Sequence, residues 1–159
     1  AFTVVRHYFY TQAKKIKIDS LKTSSYEPLR HIALKVNMEL YYHLLHWKTW
    51  FKQLCLANDI AKNKMIDAIN KVADEFEGVL SLGPLNKEMA SLGLIEDEEN
   101  LKKRWISEME KVFMEVNIAF PQDFKMKNGN GRLKEHTTAL EEAIKTLGEV
   151  YNTDPAATW

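Results

Sequence analysis

From Glu27 to Leu56 the chain runs without a glycine, and its one proline stands at position 28, where a first helical turn tolerates it. Leu, Tyr and Trp recur on several faces of this stretch. Such a run specifies one long helix, and a central, mostly buried place for it. Within it, KVNMELYYHLLHWKTW (Lys35 to Trp50) sets Glu39, His43 and His46 at offsets of four and seven residues. Those offsets share one face of a helix. A carboxylate and two imidazoles on an otherwise apolar face are a metal site, the remains of one, or a satisfied polar network.

The rest of the chain is also helical in pattern. Its 6 glycines and 4 prolines cluster at a few places, and β-branched alternation is almost absent. A first helix is expected from about Phe2 to Lys22, with an apolar stripe of Phe2, Val5, Phe9, Ala13 and Ile16. Lys14, Lys15 and Lys17 give its later half a basic, solvated surface. After the turn at TSSYEP, where Ser24 or Ser25 can accept from free N–H groups, comes the long helix. Asn58 or Asp59 caps a third helix that runs to about Leu82 and is broken by Gly83-Pro84. A short helix, Leu85 to Leu92, ends at Gly93. Asp97 opens a further helix with Leu101, Trp105, Met109, Val112, Val116 and Phe120 on one stripe, stopped by Pro121. FPQDFKMKNGNGR reads as a turn or a mobile loop. The last helix is expected over Leu133 to Tyr151, and the tail is extended, with Trp159 docked.

Composition bounds the function. A chain of 159 residues builds one domain with a sizeable core, not two. Lys+Arg and Asp+Glu both number 22, so there is no basic excess to hold nucleic acid or an anionic membrane. No apolar stretch approaches the roughly 20 residues that span a bilayer. A single cysteine, Cys55, rules out an intramolecular disulfide framework, fits a reducing cytoplasm, and reads as a small buried hydrophobe. The chain begins inside an apparent helix with neither initiator Met nor cap, which suggests residues upstream.

The chemistry-bearing constellations are few. Carboxylate-bridged di-iron bundles draw a Glu-x-x-His pair from each of two helices. Here Glu39-x-x-x-His43 is one residue longer, a rotation of about 100°. No Glu-x-x-His pair accompanies it, since none of His7, His31 and His136 has a Glu three residues before. Glu39 and His43 are therefore candidate metal ligands, candidate members of a buried network with Lys35, or solvent-exposed groups. Lys125, Lys127, Arg132 and Lys134 form either an anion site or a solvated loop. Tyr8, Tyr10, Tyr41, Tyr42, Trp47 and Trp50 concentrate in the first two helices. They either pack the core or form a protein interface, where Tyr and Trp are enriched.

The long helix resembles that of the ferritin-like non-catalytic subunit of phenylacetyl-CoA epoxidase, the PaaC type. Ile32, Ala33, Lys35, Glu39, Tyr42, His43, Leu44, His46, Trp50 and Leu54 carry the match. A second block at the C-terminus is similar through Gly131, Arg132, His136, Thr137, Leu140, Pro155, Ala156 and Trp159. Arg6 and the turn Ser25-Tyr26-Glu27-Pro28-Leu29 fit the family's pattern ahead of the long helix. Met38 stands where the family tends to have Lys, and Gln53 where Arg is common, which marks a divergent member.

The resemblance implies an all-α, ferritin-like bundle. Residues 1–159 would be its single helical domain, the C-terminal portion of a subunit that is longer by about two helices. It implies a scaffold subunit for a homologous catalytic oxygenase subunit that holds the di-iron centre and binds the acyl-CoA, with electrons from a separate reductase component. The present chain would carry no cofactor. Lys35, Glu39, His43 and His46 would form a polar network at the vestigial metal position, with Lys35 as the positive charge beside Glu39. Tyr8, Tyr41, Trp47 and Trp50 would anchor the interface or the helix packing. A homo-oligomeric di-iron oxidase and a bundle with an unrelated binding role remain open beside it.

Overall fold

A computed structural model describes residues 1–158. Among them the architecture is an all-helical bundle: α1 (Phe2–Leu21), α2 (Glu27–Ala57), α3 (Asp59–Ala73), α4 (Glu77–Leu80), α5 (Asn86–Ser91), α6 (Glu98–Glu115), α7 (Thr138–Leu147) and α8 (Glu149–Thr153). No helix among the described residues is long and apolar enough to cross a membrane. The docking expected of Trp159 lies outside the described residues.

The helices α1 and α2 pack as an antiparallel pair. His7 meets Trp47, Tyr8 meets Phe51, and Lys15 hydrogen-bonds Asn37, so later residues of α1 face earlier residues of α2. In α1 the buried positions Val5, Tyr8, Phe9, Gln12, Ala13, Ile16 and Ser20 recur at three and four residues, which gives the inner stripe. Ser24 accepts from the Tyr26 N–H (3.3 Å), one residue ahead of the first turn of α2, while Ser25 donates to the Leu92 carbonyl (2.7 Å). The serines therefore tie the turn to the α5 segment and leave the α2 N-terminus without a side-chain cap.

One extended residue, Asn58, both ends α2 and begins α3, and its Oδ1 accepts from Ala61 N at 2.9 Å. The third helix stops at Ala73, not near Leu82. Its last carbonyls are taken by a returning loop: Lys125 N–H donates to Ala73 O (2.9 Å) and Lys127 N–H to Asp74 O (3.0 Å). Helix propagation would need those acceptors, so the chain turns and resumes as the single turn of α4. The FPQDFKMKNGNGR segment, expected as a turn or a mobile loop, turns at Lys127 and Asn128 and is tied to the bundle by these bonds. Phe120 and Phe124 pack on Trp105 at 6.1 and 5.2 Å between ring centroids.

Asp97 caps α6 through Glu99 N (2.8 Å). The helix ends at Glu115, well before Pro121. Asn117 takes the left-handed region (φ 50°), its N–H reaches Met114 O, and Ile118 N–H reaches Phe113 O. This is the Schellman arrangement, for which asparagine is the usual substitute for glycine.

The core is aromatic. Phe9 meets Phe76 (5.6 Å), Trp105 (5.7 Å), Phe113 (6.0 Å) and Phe51 (6.3 Å), and Trp105 Nε1–H donates to the Phe9 carbonyl. The Tyr8 phenol is buried beside this cluster. Burial, with the charges of Glu115 and Glu108 adding to it, pushes its pKa up. Beyond the core the expected helix over Leu133 to Tyr151 is split. Residues Gly131–Leu133 form a 3-10 turn, Lys134 is left-handed, and Gly148 separates α7 from α8. Leu140, Ile144, Leu147, Val150 and Tyr151 are all exposed along this arm.

Candidate functional site

Among the described residues only one side of α2 is covered. Ala33, Leu40, Phe51 and Cys55 are buried, and Leu44, Trp47 and Leu54 are partly buried against the core. These positions recur at three, four and seven residues and form a single stripe. The expectation of a mostly buried helix is therefore corrected. Its packing partners α1 and α3 lie along this one stripe, and the rest of a helix with several apolar faces is left open.

Two open flanks follow from the step of about 100° per residue. One carries Ile32, Lys35, Glu39, His43, His46 and Trp50. The other carries Leu34, Met38, Tyr41 and Leu45, with Tyr42 outermost. Met38 is 66%, Tyr42 71% and Tyr41 59% exposed, and the two tyrosine rings meet edge to face at 5.3 Å. Large apolar side chains this exposed, contiguous over two turns, form a patch of the kind that marks an interaction surface.

Lys35, Glu39, His43 and His46 share the first flank, and none of the four is buried. Among the described residues no hydrogen bond or ion pair links them, so these residues alone do not form the buried network expected from the sequence. His46 instead sets its ring edge to face against Trp47 (4.8 Å, 82°), which also stacks on His7 (4.6 Å, 13°). The fit to a metal is incomplete. Glu39 and His43 are two ligand types on one helix, and no group of three or more His, Cys, Asp or Glu converges among the described residues.

The four aromatic anchors divide. Tyr8 is in the core against Phe51, and Trp47 is half-buried between α1 and α2, so both are interhelix contacts. Tyr41 and Trp50 stand in the open. Met38 and Leu45 are members of the exposed patch that the sequence reading passed over. Their positions, four residues on from Leu34 and Tyr41, are the signal that would have found them. Cys55 is buried, and burial pushes its thiol up to about 11, which keeps it protonated and inert.

The family model described as "Phenylacetic acid catabolic protein" matches residues 1–159. The chain belongs to the phenylacetic acid catabolic protein family. A curated relative is one of the subunits of the 1,2-phenylacetyl-CoA epoxidase of Escherichia coli (strain K12), 24% identical over the whole of this chain. The match covers 64% of that relative, so this member of the family spans less than two thirds of its relative's length.

Proposed function

We propose that this chain is a supporting subunit of a multicomponent phenylacetyl-CoA ring epoxidase, working in the cytoplasm in aerobic phenylacetate catabolism. The observation that carries the reading is the pair of open flanks on α2. The likeness to a subunit of the bacterial epoxidase supports it. In this reading the bundle is ferritin-like. The flank of Leu34, Met38, Tyr41, Tyr42 and Leu45 docks on a homologous catalytic subunit, which holds the di-iron centre and receives electrons from a reductase. Stable interfaces bury about 800 Å² on each partner and centre on aromatic anchors, which this flank supplies. Covering it fixes the helices behind the partner's reacting centre.

The other flank takes the position where a catalytic homologue keeps its metal. There Lys35, one helical turn before Glu39 and not paired with it in the chain by itself, closes on the carboxylate upon assembly and neutralises it without iron. Four residues is the spacing at which such a pair meets. Lys35→Ala is expected to lower stability or assembly of the complex. If it changes neither, this role for Lys35 fails.

Co-expression with the homologous catalytic subunit tests the docking. Met38→Asp with Tyr42→Asp is expected to weaken association at least a hundredfold and to leave the melting temperature of the isolated chain within a degree or two. Retention of full assembly by this variant would overturn the proposed interface.

A further inference from the structure

A cavity of about 600 Å³ opens between α1, α4 and the segment that runs from Met126 into the 3-10 turn. None of its lining residues is on α2. Its charged lining is unbalanced. Lys14, Lys17 and Arg132 stand against one carboxylate, Glu75. That carboxylate is already committed, since it accepts from Asn128 N (3.2 Å) and Asn128 Nδ2 (2.6 Å). The nearby Glu98 is committed too, with Oε2 accepting from Leu82 N at 2.5 Å. Lys17 Nζ donates to the carbonyls of Val79 (2.7 Å) and Ser81 (3.1 Å), while Lys14 and Arg132 have no ion-pair partner among the described residues. Burial, and then the charge of Arg132, with Glu98 acting against them, bring the Lys17 pKa down to about 8.

The remaining wall is apolar or made of glycine. Tyr10, Ile18, Val79 and Met126 face the cavity, and Gly78, Gly129 and Gly131 keep it open. A Cβ at Gly78 would stand 3.2 Å from Met126 Sδ. Gly129 is left-handed (φ +102°), and a Cβ there would lie 2.9 Å from that of Glu135. Tyr10, Glu75 and Val79 also line a second cavity of about 360 Å³, whose other walls include Phe2, Val72 and Phe76. Arg6, His7 and Lys71 line it too, so the two adjoining cavities both combine cations with apolar walls.

We propose that this groove binds an organic phosphate monoester, with the phosphate between Lys14, Lys17 and Arg132 and a flat apolar body along Tyr10, Val79 and Met126. Two unpaired cations with a third beside them suit a dianion better than a carboxylate, and Arg132 offers the fork that phosphate accepts. The site is separate from the α2 surface and does not depend on the epoxidase reading.

Titration calorimetry of the full chain with phenyl phosphate, inorganic phosphate and phenylacetate tests it, with the Met126 methyl resonance as a reporter of place. Phenyl phosphate is expected to bind at least tenfold more tightly than either of the other two and to shift the Met126 signal. Lys14→Gln with Arg132→Gln is expected to weaken it at least tenfold, with the melting temperature of the free protein unchanged. Equal affinity for inorganic phosphate and phenyl phosphate would overturn the apolar half of the site. An unmoved Met126 signal, or unchanged affinity in the variant, would overturn the site itself.

Discussion

Phe9 touches aromatic rings from α2, from α6 and from the turn between α3 and α4, so one side chain joins most of the bundle. Phe9→Ala leaves a void bordered by rings that cannot collapse together. It is expected to cost about 3–5 kcal/mol, measured by urea unfolding. Lys17 gives a second test through pH. Its folded pKa, about 8, lies below the ordinary 10.5, so above pH 8 the unfolded chain binds more protons than the folded one. Stability therefore rises as pH climbs from about 8 to 9. Above 9 Cys55 acts in the opposite sense, because its folded thiol holds a proton that the unfolded chain gives up. Lys17→Met is expected to remove the rise between pH 8 and 9 and to uncover a fall above 9 that Lys17 offsets in the unchanged chain. An unchanged profile in that variant would show that Lys17 is not its source.

Among the elements, the helices whose signals are local were legible in the sequence. Asn58 was readable as a cap, and it closes α3; Asn58→Ala is expected to cost about 1 kcal/mol in thermal or urea unfolding. Asp97 was equally plain, and it opens α6. The errors fell where distant segments decide. The end of α3 depends on Lys125 and Lys127, some fifty residues on, and no periodicity within α3 reports them. The end of α6 was written locally in Asn117, but the more conspicuous Pro121 hid it. The candidate site was legible as a set of residues on one helix, since Glu39, His43 and His46 do share a flank. Which flank is buried was not, because α2 is apolar on more sides than its neighbours cover. In the sequence Arg132 belongs to a basic loop and to the family's C-terminal block. Its meeting with Lys14 and Lys17 needs the return of the 125–132 segment onto α1, which the sequence does not announce.

At the scale of the whole molecule, the described residues build a well-packed aromatic core and leave a large apolar surface uncovered on α2 and along α7 and α8. A surface of that kind has a cost in water that a partner removes. Family membership and the likeness to an epoxidase subunit fit the partner proposed above, a homologous bundle that carries the metal. The most direct test is a native mass spectrum of the assembly purified gently from its host, with metal content assigned to each released chain. The expected result is a mixed assembly in which iron stays with the homologous partner and this chain leaves without metal. A homo-oligomer with two irons on every copy of this chain would contradict the supporting role, and would make Glu39 and His43 the first residues to mutate.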